Sequence, residues 1–477
     1  MGLPRIAYCS PVNPAASGIS DYSEELLPYL GQYADVTLYL ADGLRPDNPD
    51  LRRCLEIRPL CRLERDHRRQ PYTGIVYHIG NSPVHADIWR MAQRLPGVVV
   101  LHDFVLHHFM LWYAANVQRD VQGYVRDMQQ RYGTEGAHVA QLMIRSQFTD
   151  AAFRFPCCEP VLAAARGLVA HSQYVQARVQ ALRPALPCVV VPMGVPLPPL
   201  IDRTEARARL RLPLDALILA SFGHINAYKR LESVFRAVLE LRREWPDLRY
   251  VLVGSQSPHY DVTSLVRRMG LEDTVVITGY VPRRVFDDYV AATDICLNLR
   301  YPTGGETSAS LLRLLGAGRP TLVSATGAFA ELPPDVAAPV DPNDSEGDLI
   351  LAYCRFLACR PDVAAALGAQ ARAYVAHEHR LDRAAQGYAR FLARLYNWQT
   401  VQRWRPAPLW RVPGIEEMNR TACTQSSSVA PAGMSGLPSD PAVAVLMISA
   451  CQALVELGIT EHDEIVLRAV AARLAEL

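Results

Sequence analysis

The chain has 477 residues, half of them hydrophobic and a fifth charged, with a formal net charge of +1. That length exceeds one ordinary core and predicts two domains with an appendage, and the charge balance gives no electrostatic case for nucleic acid as a partner. Eleven cysteines without a Cys-x-x-Cys pair, an N-terminus lacking a signal-peptide core and no apolar run of membrane-spanning length predict a protein of the reducing cytoplasm.

In chain order, Arg5–Cys9 is a short apolar strand, followed by a turn-rich loop to Ser20 and an amphipathic stretch from Asp21 to Leu30. Further buried strands are predicted at Val36–Leu40, Gly74–His78, Val98–His102, Gly167–His171 and Val189–Val191. The arginines from Arg52 to Arg69 read as a solvated connecting segment. A proline-rich hinge runs from Val191 to Pro199. Beyond it, strands at Leu217–Phe222, Tyr250–Val253, Val275–Ile277, Ile295–Leu297 and Thr321–Ser324 alternate with helical stretches at Lys229–Trp245 and Thr263–Met269. Arg360–Leu395 reads as helical. The predicted organisation is two doubly wound Rossmann-like domains, 1–195 and 196–398, then a Ser/Pro/Gly-rich linker, 399–440, and a helical tail, 441–477.

In such sheets ligands meet residues just beyond the strands, so the strand-to-helix junctions hold the candidates. The single lysine of the chain, Lys229, lies in one of them, Gly223–Arg230. An ammonium is a compact point charge suited to a phosphate, whereas compositional accident in an arginine-rich chain is the plain alternative. Gly304-Gly305-Glu306-Thr307-Ser308 precedes a helical run, where unpaired amides would bind an anion and Glu306 a hydroxyl. An ordinary glycine turn with Thr307 or Ser308 capping the helix is equally open at this point. His102-Asp103 ends a strand and offers groups for acid-base work or for structure. His78, Asn81, His85, His107 and His108 are weaker candidates, and the aromatic stripe Phe104–Tyr113 reads as packing. Neither a Walker motif nor a Gly-x-Gly-x-x-Gly fingerprint occurs, which argues against ATP hydrolysis and nicotinamide chemistry.

The segments Ser17–Ser23, Leu101–Asp103, Ala170–Ser172, Pro192–Val195, Gly223–Lys229, Thr278–Pro282, Tyr301–Ser308, Gly318–Pro320 and Ala330–Pro333 together resemble glycosyltransferase family 4, retaining enzymes of GT-B architecture. The resemblance covers about residues 5 to 395 and implies transfer of a sugar, most simply a hexose, from a nucleotide-diphosphate donor in the second domain to a hydroxyl acceptor in the first. It implies a carbohydrate or glycolipid acceptor, a bacterial polysaccharide-assembly setting with peripheral membrane contact, and no cofactor besides the donor. No Asp-x-Asp metal motif is present, so no metal is expected. It further implies that Lys229 contacts the donor diphosphate, Glu306 the donor sugar, and Gly18 the donor through its backbone, while His102 and Asp103 face the reaction. Gly223, Arg230, Gly304, Gly305, Thr307 and Ser308 complete the implied donor site. The companion arginine is replaced by His224, with Arg230 or Arg300 as substitutes, and the second glutamate falls on Arg313 or Leu314. A non-catalytic binding protein, an epimerase or a phosphorylase of the same fold is the competing expectation.

Overall fold

The computed structural model describes residues 3–147 and 150–398; the expected linker and helical tail lie outside them. The described residues form two all-parallel sheets flanked by helices. In the first, β1 (Arg5–Cys9), β2 (Asp35–Leu40), β3 (Glu56–Pro59), β4 (Gly74–Ile79), β5 (Val98–Leu101), β6 (Gly167–Ala170) and β7 (Cys188–Val190) take the order 3-2-1-4-5-6-7. In the second, β8 (Ile218–Phe222), β9 (Arg249–Val253), β10 (Val275–Gly279), β11 (Ile295–Asn298), β12 (Thr321–Ser324) and β13 (Ala338–Val340) take the order 10-9-8-11-12-13. This is the two-domain GT-B architecture.

The central strands are mostly apolar because both sheet faces are covered: β4, β5, β6, β8, β11 and β12 are buried along their whole length. Strand order reverses between β1 and β4 in one sheet and between β8 and β11 in the other, which fixes where ligands can enter. The last described helix, Leu381–Leu395, returns across the hinge to pack on the Gly18–Leu30 helix of the first domain, and the Tyr22 and Tyr388 hydroxyls meet at 3.2 Å.

The arginine-rich segment read as a solvated connection holds the edge strand β3 and the Leu63–Arg69 helix. Its charges are paired locally, Arg58 with Asp66 at 2.7 Å and Arg53 with Asp50 at 2.6 Å. The segment is thus a sheet edge blunted by paired charge. The nine described cysteines are free thiols, and no described helix is long and apolar enough to cross a membrane.

Candidate functional site

At the end of β8 the chain turns through Gly223, whose φ of +91° suits only glycine, and re-enters helix at Leu231. The short turn Ala227–Lys229 folds the lysine back beneath this junction, where Nζ donates to the Phe222 carbonyl at 2.6 Å. A side chain at Gly223 would begin 3.8 Å from Lys229 Nζ and 3.6 Å from Ser310 Oγ. The lysine and the first turn of the Ala309–Gly316 helix therefore converge on one point above β8. Burial chiefly, and then Arg300, hold the Lys229 ammonium down to about 7, partly countered by Glu306. A neighbouring negative charge would favour its charged form.

Ser308 caps that helix, its Oγ accepting from Leu311 N at 3.2 Å. Thr307 is half-buried beside it. Glu306 is held by the Arg300 guanidinium and by Thr303 Oγ1 at 3.0 Å. The preceding glycines serve the domain contact: Val105 N donates to Gly304 O at 2.9 Å, and a Cβ on Gly305, at φ +81°, would lie 2.8 Å from Phe104 Cβ. Only a residue without a side chain lets the second-domain loop approach the first so closely.

From the first domain, Asp103 faces this loop. Its Oδ2 accepts from Asn81 N at 2.8 Å, and burial followed by the Glu306 charge pushes its carboxyl up to about 6. His102, one residue earlier, points the opposite way. Its ring lies 5.6 Å from Tyr22 and 5.0 Å from His171, and its Nε2 meets His78 Nδ1 at 2.9 Å. The adjacent pair read together from sequence thus has two settings, the carboxylate with Asn81 and the Glu306 charge and the imidazole among Tyr22, His78 and His171. Gly18 opens the Gly18–Leu30 helix with empty space where its Cβ would be, and Ile19 beside it packs on Gly80, which Asp103 and His85 also approach.

Three other positions are differently placed. The Arg230 guanidinium is bound to the buried Glu346 at 2.8 Å, away from Lys229. His224 Nδ1 pairs with Ser255 Oγ at 3.0 Å. His108 and Phe153 pack on Tyr228 of the second domain, so the aromatic stripe is packing as expected. Asn81, a weaker candidate from sequence, holds Asp103 through its backbone N–H, whereas Thr303 and Ser310 reach the site from a loop and a helix start that leave no spacing signal in the sequence. Among the described residues no three His, Cys, Asp or Glu side chains gather as a metal-ligand set.

Residues 216–358 match the family model described as glycosyl transferases group 1. Among curated proteins, D-inositol 3-phosphate glycosyltransferase of Kineococcus radiotolerans is 32% identical over 175 residues, 34% of this chain and 40% of that protein. The enzyme of the same name from Streptomyces scabiei is 30% identical over 195 residues, 37% of this chain and 41% of that protein. The matched stretch thus spans about two fifths of these relatives' length. Among solved structures, sucrose-phosphate synthase of Thermosynechococcus elongatus superposes with a TM-score of 0.60 at 18% identity, covering 83% of this chain and 99% of that one. The Anabaena protein HepE, solved with UDP and glucose, gives 0.57 at 15%, covering 82% and 100%. The chain therefore has the GT-B fold, and its second domain carries the match to glycosyl transferases group 1.

Proposed function

We propose that this protein is a glycosyltransferase that moves a sugar from a nucleotide-diphosphate donor to a hydroxyl acceptor with retention of anomeric configuration and without a metal ion or further cofactor. The observation that carries this reading is the convergence of Lys229 Nζ and Ser310 Oγ on the Gly223 turn, with Glu306 and Asp103 on neighbouring loops. Lys229, Arg300 and the amides at Thr307–Ser308 supply the positive field in which a leaving diphosphate gains charge, the role a metal would otherwise fill. Glu306 accepts from a hydroxyl of the donor sugar. The bond from the anomeric carbon to the phosphate oxygen breaks with its electron pair passing to the diphosphate. The acceptor oxygen makes the new bond on the face that the diphosphate leaves, so configuration is kept, and gives its proton to Asp103, whose raised carboxyl suits a base near neutrality.

The named partners of its relatives guide the donor, since HepE was solved with UDP-glucose, so uridine donors head the assay panel. A carbohydrate or glycolipid acceptor, reached at a membrane face, completes the reading. The test is nucleotide release from UDP-, GDP- and dTDP-sugars with and without acceptor and chelator, with product configuration read by NMR. We expect release stimulated by acceptor and insensitive to chelator, and its loss in Lys229→Ala. Full release by that variant, or an inverted product, overturns the proposal.

A further inference from the structure

Two helices begin at the proposed donor site, one in each domain. Gly18–Leu30 starts with Ile19 against Gly80, which Asp103 also approaches, and Ala309–Gly316 starts with Ser310 at the Gly223 turn, which Lys229 also approaches. Farther along, the two are tied together. Arg313 Nη2 donates to Glu25 Oε1 at 2.8 Å and to Oε2 at 3.0 Å. The Arg313 side chain is 6% exposed and that of Glu25 21%, so little water screens the pair. Arg283 stands 3.9 Å from the same carboxylate and is itself held by Asp287 at 3.0 Å. Around the pair, Leu311, Leu312 and Leu315 join Leu26, Leu27 and Leu30 in one core that runs through both domains. Arg313 Nη1 is buried without a partner, so the guanidinium is satisfied chiefly through Glu25.

The tie lies close to the two helix starts. Glu25 is about 10 Å along its helix from Gly18, and Arg313 about 8 Å along its own from Ser308, at 1.5 Å per residue. An anion held between two helix starts feels both fields only while the starts stay together. We infer that the Arg313–Glu25 pair is a positioning pair that keeps the two helix starts facing one another, so that the donor diphosphate is bound by both domains at once. This rests on the proposed donor reading and extends it. It gives a task to the position where the resemblance leads one to look for a second acid, since an arginine there reaches the other domain instead. Neither residue touches the donor; both act through the helices that carry Gly18 and Ser308–Ser310.

The test compares wild type with Glu25→Gln, Arg313→Met and the double variant. Binding of UDP, GDP and dTDP is measured by calorimetry, donor KM and kcat by nucleotide release, and the radius of gyration by solution scattering with and without nucleotide. Each single variant is expected to weaken nucleotide binding and raise donor KM about tenfold, as for loss of one close charge pair, with kcat changed much less. The double variant should match the worse single, because the pair acts as one unit. Nucleotide should compact the wild type and not the variants. Unchanged binding in variants of a wild type that binds, or multiplicative losses in the double variant, overturns the positioning role alone. A wild type that binds none of the three nucleotides removes the donor reading, and this inference with it. Should Arg313→Met fail to fold, Glu25→Asp, which keeps the charge and shortens its reach, carries the same comparison: a KM rise at unchanged Tm supports the pair, and a Tm loss at unchanged KM reduces it to a structural contact.

Discussion

The Lys229 ammonium changes its charge state near neutral pH. Its pKa is lowered to about 7, so below that pH it is charged before any anion arrives. Above it, binding must include uptake of a proton, and affinity for a sugar-nucleotide, whose diphosphate does not titrate there, should fall by up to about tenfold per pH unit. Calorimetry with the active sugar-nucleotide from pH 6 to 9 checks this, and the same slope in Lys229→Met would refute it. The linkage also acts on folding. Because the lysine is depressed in the folded state, its burial opposes folding fully below pH 7 and ceases to do so as pH rises toward the unfolded value. Lys229→Met should therefore raise the ligand-free Tm by a few degrees at pH 6, an effect on the order of a few kcal/mol, and by less at pH 9. Glu306 has a different signature. Glu306→Gln leaves Arg300 and Thr303 partnered in shape but removes the charge, so transfer should drop by about 100-fold while nucleotide binding stays within a few-fold. An equal loss of both would assign Glu306 to the nucleotide instead.

The strands explain why so much of this architecture could be read in advance. β1 and β12 match the predicted bounds, and the other central strands differ by a residue or two, because a continuous apolar run has few alternatives once both faces are covered. The edge strands β3 and β13 are short and carry Glu56, Arg58 and prolines, so nothing in their composition sets them apart from loop. Lys229 and Glu306 were legible as site candidates because each is an unusual residue at a strand-to-helix junction. The division between His102 and Asp103 was not, since it depends on how the chain leaves β5. The glycines at 304 and 305 were read as an anion cradle or an ordinary turn, and their contact with Phe104 and Val105 of the first domain was not legible. Gly305→Ala tests that contact: a Cβ 2.8 Å from Phe104 at φ +81° should lower stability by about 1–3 kcal/mol, seen as a lower Tm, and raise donor KM through a displaced Glu306. A Tm unchanged from wild type would mean that the loop and Phe104 part without cost.

Across the whole molecule the first sheet, the Gly18–Leu30 helix and the returning Leu381–Leu395 helix meet over a buried group of four histidines, His78, His85, His102 and His171. Tyr8, Tyr22 and Tyr388 pack around His78 at 4.5, 6.2 and 6.2 Å. Each histidine has one buried ring nitrogen without a partner, so none can take a proton and find an acceptor in place. Burial lowers all four, to about 4 for His85 and His171 and well below the usual range for His78 and His102. The group is therefore neutral when folded, and its contribution is complete above about pH 6.5, the unfolded value. As pH falls from 6.5 toward 4 the unfolded chain takes up protons that the folded chain refuses, and stability declines by about 1.4 kcal/mol per pH unit for each histidine. Asp103 opposes this below pH 6, because its raised carboxyl takes up a proton more readily when folded. Glu24 and Glu25, also raised by burial, act as Asp103 does, while the lowered His107, His108 and His379 add to the four, so the histidines prevail. The Tm should rise modestly from pH 7 to 8 as Lys229 loses its proton, and fall steeply below about 6.5, with the contact between Tyr22 and Tyr388 among the first to loosen. His102→Phe keeps a ring in the group and removes one titrating site, so the slope of stability against pH should decrease by about one proton's worth. An unaltered slope in that variant, measured by urea unfolding at pH 5 to 7, would place the acid sensitivity elsewhere in the molecule.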